Sequence, residues 1–433
     1  KVATSKPQVT RLPDAAGRQV FAGINGTSDA LASRRGVAAY RVQLPAGQRT
    51  FKVEYSGLVD LPPTASPEEY ARSFAETPGI VSTDGIYLSG STLWYPQLAG
   101  DLAGLLVTYT FSVNTPAGWH IIAPGNGVAT GADGMARWET PSAVDEISVS
   151  GGPLTPYTAS AGLAPQPIEA QVYLRKPDPA LASKYLDATS RYIRMYNELI
   201  GPYPYQKFAL VENFWETGYG MPSYTLLGPQ IIRFPFILTS SYPHEILHNW
   251  WGNSVYVDYG TGNWCEGLTA YLADHLMKEI EGQGAVYRRD VLKKYRDFAA
   301  VSADFPLKDF RSRHSAATEA VGYGKTLMGF HELRMLVGDE LFRQSLRTFY
   351  KDYRGTRASF GDVRAAFEKT TGRDLARFFD DWVNRTGAAD LAVADVKVAA
   401  AGGRFTVTGN VMQRQAGAYD LQVPVVVSTA AGP

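Results

Sequence analysis

From about Gln19 to Gln171 the chain alternates apolar and polar residues in short runs separated by Gly, Pro, Asn and Asp. Ala39-Tyr40-Arg41-Val42-Gln43-Leu44, Thr50-Phe51-Lys52-Val53-Glu54-Tyr55, Leu106-Val107-Thr108-Tyr109-Thr110-Phe111 and Ala170-Gln171-Val172-Tyr173-Leu174 are examples. Successive side chains of a strand point to opposite faces, so these runs predict an antiparallel β domain over residues 1–174. Tyr87-Leu88-Ser89-Gly90 and Leu93-Trp94-Tyr95-Pro96 form an aromatic cluster of the kind that packs a core or a domain boundary. His120 reads as a structural histidine.

Around Pro177 the period changes. Leu181, Tyr185, Leu186, Tyr192, Ile193, Tyr196 and Leu199 recur at helical spacing over residues 180–200, and Gly201-Pro202-Tyr203-Pro204 stops that helix. A strand at Phe208-Ala209-Leu210-Val211 leads through the glycine-rich stretch 215–222 into a second apolar run, Tyr224-Thr225-Leu226-Leu227-Gly228. This strand, turn and strand reads either as the edge of a cleft, to which an extended peptide adds, or as an ordinary hairpin. The next helix starts at Ser240 or Ser241, tolerates Pro243 in its first turn and ends near Gly252-Asn253. After a loop over residues 254–263, a second helix runs from about Glu266 to Ile280. The chain stays largely helical to about Thr386, with breaks at Pro306, Gly322, Gly338 and Gly355. Alternation returns in residues 393–398, 405–407 and 423–427, predicting a short β-rich module over 390–433, either part of a sandwich or a sheet completed by its neighbours. The expected class is multidomain α+β, with a domain over 175–389 between the two β regions.

Candidate chemistry gathers at His244-Glu245-Ile246-Leu247-His248. A helix turns about 100° per residue, so imidazoles four positions apart leave nearly the same face and can grip one ion. Seventeen residues separate His248 from Glu266, in Trp264-Cys265-Glu266-Gly267, where the second helix would bring a carboxylate from outside. Two histidines and one glutamate with a vacant fourth position is how catalytic zinc is held, and Glu245 is then placed to act as base on the metal-bound water. The competing reading is a core helix whose histidines are merely hydrogen-bonded. Phe330-His331-Glu332-Leu333 begins the same way, but Met335 stands where a second His would be, so it reads as ordinary helix.

Composition narrows the choice. The 433 residues, 45% of them apolar, are enough for two to four domains. Forty-two basic residues balance forty-two acidic ones, with no basic tract, which gives no electrostatic case for nucleic acid or an anionic membrane surface. No apolar run reaches the length of a membrane span, so a soluble chain is expected. Cys265 is the only cysteine, which excludes an internal disulfide and a zinc site built on several thiolates. Next to Glu266 it reads as a small buried filler. The sequence starts at Lys1 without an initiator Met or an apolar signal core, as a processed or trimmed chain would. The compartment stays open, secretion or a periplasmic location after signal removal being one expectation.

His244-Glu245-Ile246-Leu247-His248-Asn249-Trp250-Trp251-Gly252-Asn253, followed by Trp264-Cys265-Glu266-Gly267-Leu268-Thr269-Ala270-Tyr271, resembles the gluzincin metallopeptidases of the aminopeptidase N type, which read HExxHxWxGN and WxxEGxxxY. Gly201-Pro202-Tyr203-Pro204-Tyr205 is similar to the family's GxYPxxK segment, residues 88–96 to its WxP stretch, and Val321-Gly322-Tyr323-Gly324-Lys325 to its YxKG segment. Phe378-Phe379-Asp380-Asp381-Trp382 with Gly387 resembles the end of its catalytic domain. The likeness covers residues from about 80 to 390, in order. It implies a thermolysin-like catalytic domain, one zinc per chain held by His244, His248 and Glu266, Glu245 as base and Tyr323 as donor to the oxyanion. The implied activity is zinc-dependent hydrolysis of a peptide substrate, most similar to an aminopeptidase.

Two departures stand out. The family places eighteen residues between the second His and the Glu, whereas seventeen are present here, which leaves Asp258, Asp274 and His275 as competing ligands. The family's GxMEN loop carries a Glu that binds the substrate's amino terminus, and this chain reads Gly220-Met221-Pro222-Ser223 at that place. Glu216 is a candidate replacement, with Tyr219, Gly220 and Met221 as the remaining substrate-binding candidates. A metallopeptidase not directed to a free N-terminus and a non-catalytic zinc protein that binds peptides are the alternatives. The oligomeric state is not legible.

Overall fold

The computed structural model describes residues 7–11, 40–65, 75–98, 104–162, 167–299, 303–423 and 425–428. Of the predicted runs, residues 19–39 and Pro424 lie outside the described residues. Contacts divide the chain into two units, residues 1–256 with 354–356 and residues 257–353 with 357–433. The architecture is a mixed α+β one, with several sheets and many helices.

In the first unit β1 (Gln8–Arg11) pairs with β2 (Tyr40–Gln43), and two small sheets follow. One has the order β3 (Gly79–Val81), β4 (Ile86–Leu88), β9 (Val149–Pro153), β6 (Trp119–Ile122), and the other β5 (Thr110–Asn114), β8 (Met135–Glu139), β7 (Asn126–Val128), all antiparallel. The five-stranded sheet that carries the candidate site runs β10 (Thr155–Ser160), β11 (Glu169–Leu174), β12 (Lys207–Glu212), β14 (Tyr224–Leu227), β13 (Gly218–Met221). Every residue of β12 is buried, as expected of a central strand covered on both faces. Its neighbours β11 and β14 lie parallel to it, the first crossover being the long helix α1 (Pro179–Leu199).

Helix α1 starts at an Asp178 cap and buries Tyr185, Thr189, Tyr192 and Tyr196. Those side chains hold the next helix, α2 (Ser241–Leu247). Tyr185 meets Tyr242 edge-on at 4.8 Å between ring centroids, Tyr196 meets Trp250 at 5.6 Å, and Thr189 Oγ1 lies 2.5 Å from the Tyr242 hydroxyl. Tyr185 and Tyr192 donate to the Ile232 and Leu238 carbonyls, so these buried rings keep their polar tips satisfied.

In the second unit a continuous helical run joins α3 (Cys265–Ala270), a π-helical turn (Tyr271–His275) and α4 (Leu276–Ile280). Then come α5 (Gly284–Phe298), α6 (Ala316–Glu319), a second π-helical turn (Ala320–Lys325), α7 (Thr326–Val337), α8 (Asp339–Tyr353), α9 (Phe360–Thr371) and α10 (Ala376–Phe379). The hairpin of β15 (Leu391–Ala401) and β16 (Arg404–Gln413) closes the unit. Among the described residues no helix is long and apolar enough to cross a membrane.

Several local expectations are corrected. The strand, turn and strand at 208–228 is no hairpin, because β12 and β14 are parallel and the glycine-rich stretch itself supplies β13. Helix α2 stops at Leu247 rather than near Gly252, its last turn tightening as Asn249 and Trp250 donate to Ile246 and Leu247. Gly322 does not break a helix but sits inside the π turn, where a Cβ would collide with the Phe310 ring. Residues 50–55 and the described part of 423–427 form no strand, and β15 and β16 leave Val393 70% and Phe405 76% exposed.

A buried polar knot inside the second unit makes its stability sensitive to acid. The His275 ring is fully buried, stacks on Tyr271 and accepts from Arg288 Nη1 at 2.7 Å, while His331 Nδ1 pairs with the Tyr271 hydroxyl at 3.2 Å. Burial, with help from the nearby guanidinium of Arg288, pushes both imidazoles down to about 4. The unfolded chain takes up these two protons near pH 6.5 and the folded chain does not, so their contribution is complete above pH 6.5 and declines as pH falls. We predict that the urea midpoint drops between pH 7 and 5, with a limiting slope of about 1.4 kcal/mol per pH unit for each histidine. His331→Gln should flatten that dependence; an unchanged slope in the variant would contradict the assignment.

Candidate active site

Helix α2 has two distinct faces. Tyr242, Pro243, Ile246 and Leu247 are buried against the core, whereas His244, Glu245 and His248 are half-buried on the other side. The two imidazoles face each other with centroids 4.8 Å apart. His248 donates from Nδ1 to the Trp251 carbonyl at 3.1 Å, which fixes its tautomer and puts the ring's lone pair on Nε2. This orienting contact was not visible in the sequence, because its partner is a main-chain oxygen. The tightened turn after Leu247 is what brings that oxygen round.

Glu266 lies on the first turn of α3 and is half-buried. Asn263 caps this helix through its side-chain oxygen to Cys265 N, and Trp264 anchors it by donating to the Ala358 carbonyl at 2.7 Å. Gly267 lets the helix pack tightly, since a Cβ there would clash with Thr326. One donor atom each from His244, His248 and Glu266 fall within 4.8 Å of one another. Two imidazoles and a carboxylate so close, without a thiolate, suit a borderline cation such as zinc with ligand bonds of about 2.1 Å. Of the competing candidates, Asp258 caps a short turn at Gly260 and His275 belongs to the buried knot. Cys265 is buried, 3.9 Å from Thr269 Oγ1, as a filler would be.

Among the described residues strand β13 is the outermost strand of the five-stranded sheet, and its Gly220 lies directly beside α2. A Cβ at Gly220 would fall inside contact distance of Glu245 Oε2 and 3.8 Å from His248 Cδ2. Tyr219 leaves the opposite face, stacks on Tyr87 at 5.6 Å and is half-buried; Met221 is buried. Glu216 precedes the strand, and its Oε1 accepts from Gln230 N at 2.8 Å while Oε2 is buried beside Gly228. Tyr323 sits in the second π-helical turn, half-buried, with its ring edge-on to Phe310 at 6.0 Å and the Arg313 guanidinium 5.4 Å from its centroid. Lys325, two residues on, is buried and donates to the Arg385 carbonyl at 2.8 Å, tying that turn to the end of the helical region. π-helical turns often mark functional positions, because the extra residue re-aims the side chains around it.

Residues 238–382 match the Peptidase family M1 domain. That match covers about a third of the chain. Among relatives of this chain, the alanine/arginine aminopeptidase of Saccharomyces cerevisiae is 23% identical over 40% of the chain and 21% of its own length. Glutamyl aminopeptidase of Sus scrofa is 26% identical over 36% of the chain and 17% of its own. The chain thus spans about a fifth of these relatives' lengths. Its fold resembles the crystal structure of the M1 zinc metallopeptidase of Deinococcus radiodurans, with a TM-score of 0.58 and 21% identity over 74% of this chain and 73% of that one. A variant of that Deinococcus enzyme bound to a Tyr-Ser-Ala substrate aligns with a TM-score of 0.55 and 20% identity over 74% of this chain and 73% of the other.

The contact between Gly220 and Glu245 can be tested alone. A methyl group at 220 meets only the flexible end of Glu245 and the edge of His248, so the fold tolerates it while the carboxylate is displaced. We predict that Gly220→Ala leaves the melting temperature and zinc content unchanged and lowers peptide hydrolysis about tenfold to hundredfold. Full activity in the variant would show that the side chain of Glu245 does not need its present position.

Proposed function

We propose that this chain is a zinc-dependent metallopeptidase that hydrolyses peptide bonds and is aminopeptidase-like. The observation that carries this is the half-buried face of α2, with His244, Glu245 and His248 side by side and a donor oxygen of Glu266 within 4.8 Å. His244, His248 and Glu266 hold one zinc ion per chain. When bound there, zinc supplies Lewis acidity that polarises a carbonyl and acidifies water.

The remaining chemistry belongs to the protein's side chains and main chain. An extended peptide adds to the outer edge of β13, with Gly220 keeping its backbone clear beside Glu245. Tyr219, Gly220 and Met221 form that wall. Glu245 takes the proton from the attacking water and passes it to the leaving amine. Tyr323 donates its phenolic hydrogen to the oxyanion that forms on the substrate carbonyl, a contact whose loss costs on the order of a hundredfold. A structural zinc would need neither Glu245 nor Tyr323.

The position at which the family carries its amine-binding Glu is Pro222 in this chain, which favours a second reading in which a free amino terminus is not required. Comparing an aminoacyl arylamide with its N-acetylated form separates the two: loss of hydrolysis on acetylation supports the aminopeptidase reading, and retention supports the second. Two substitutions test the roles. Glu245→Gln should keep its zinc and lose hydrolysis by about a hundredfold to ten-thousandfold. Glu266→Ala should lose zinc as well as activity, and unchanged metal content by elemental analysis would point to another third ligand.

A further inference from the structure

Lys207 is a lysine that no step of the hydrolysis uses, and it is 3% exposed at the start of the central strand β12. Its Nζ donates to the Ala123 carbonyl at 3.1 Å, the Ser223 carbonyl at 3.2 Å and Ser223 Oγ at 2.7 Å. The Trp138 and Tyr224 rings flank the ammonium at 4.7 and 5.2 Å. Burying an ammonium costs free energy, and burial holds this one well below the usual lysine range. A methionine would fill the same space without that cost.

The contacts meet at Ser223, in the turn between β13 and β14. Ser223 adopts a left-handed backbone at φ 68°, which a non-glycine residue keeps only when its surroundings enforce it. Its N–H donates to Asn249 Oδ1 at 2.7 Å, its carbonyl accepts from Ala209 N at 3.0 Å and its hydroxyl oxygen accepts from Gly125 N at 3.0 Å. Asn249 follows His248 directly, and its Nδ2 donates back to the Ile246 carbonyl at 2.9 Å. One buried node therefore pins the end of strand β13 to the end of helix α2. Between the two anchor points lies Gly220 beside Glu245.

We propose that Lys207 is a positioning residue: through Ser223 and Asn249 it sets how far the outer edge of β13 stands from Glu245. The substrate backbone is thereby held where that carboxylate can reach the attacking water. This rests on the peptidase reading above. A displacement of about 1 Å at such a point costs on the order of a hundredfold in rate without removing any catalytic group.

The test uses the whole chain loaded with zinc, with an aminoacyl arylamide and a tetrapeptide as substrates. Lys207→Met should keep stoichiometric zinc and lower kcat tenfold to hundredfold on both substrates, with KM for the small arylamide changed less than about threefold. Ser223→Gly keeps the left-handed backbone and removes only the hydroxyl; it should lower kcat in the same way. The double variant should be no worse than Lys207→Met alone, since both substitutions open the same node. A purely structural lysine would instead lower the melting temperature, leave kcat per zinc-loaded molecule intact and add to the effect of Ser223→Gly. Should Lys207→Met not fold, a parental kcat in Ser223→Gly overturns the proposal. A parent that is zinc-loaded but hydrolyses neither substrate overturns the peptidase reading and this proposal together, whereas an active parent with an equally active Lys207→Met overturns the proposal alone.

Discussion

Two imidazoles, His244 within a seven-residue helix and His248 at its C-cap, stand 4.8 Å apart, and holding them there is the constraint on which the first unit turns. A helix so short has little stability of its own and is held by packing. Helix α2 obtains that packing from the aromatic face of α1, where Tyr185 meets Tyr242 and Tyr196 meets Trp250. The Tyr185 and Tyr192 hydroxyls donate to main-chain carbonyls and the Tyr242 hydroxyl pairs with Thr189, so the support is rigid as well as apolar. The tightened turn that ends α2 then serves twice. It presents the Trp251 carbonyl to His248 Nδ1 and carries Asn249 to the turn after β13.

The sheet contributes a boundary rather than a ligand. Strand β12 is buried on both faces, which fixes β14 and, through it, the edge strand β13. An edge made of Gly218-Tyr219-Gly220 would be a liability in most sheets, being flexible and unpaired. Here the missing side chain at 220 is what allows main chain to approach Glu245. Buried polar groups at Lys207, Ser223 and Asn249 replace the stiffness that the glycines remove.

Much of this was readable before any coordinates. The i, i+4 histidines and Glu245 announce themselves, because helical geometry turns a sequence spacing into a shared face. Glu266 was legible as a ligand candidate from its place at the start of a second helix, and α1 from the period of its tyrosines. Strand β13 was hidden because glycines carry no alternation signal, so a three-strand arrangement looked like two strands and a turn. The predicted end of α2 at Gly252 was too late because a glycine marks where a chain can leave a helix, whereas the Asn249 and Trp250 amides had already switched partners. The π-helical turn at Tyr323 gave no signal, since an extra residue within a helix leaves the apolar period nearly intact. The Lys207 node lay beyond reach for a different reason: its parts are far apart in sequence and meet mostly through main-chain atoms.

The central claim is that His244, His248 and Glu266 enclose one zinc ion while leaving a coordination position open. Anomalous diffraction from crystals of the purified chain, recorded on either side of the zinc absorption edge, tests this most directly. The account predicts a single strong peak bounded by His244 Nε2, His248 Nε2 and a carboxylate oxygen of Glu266, with no fourth protein ligand. A site without a peak in zinc-supplemented crystals, or a peak whose fourth position is filled by a protein side chain, would contradict it.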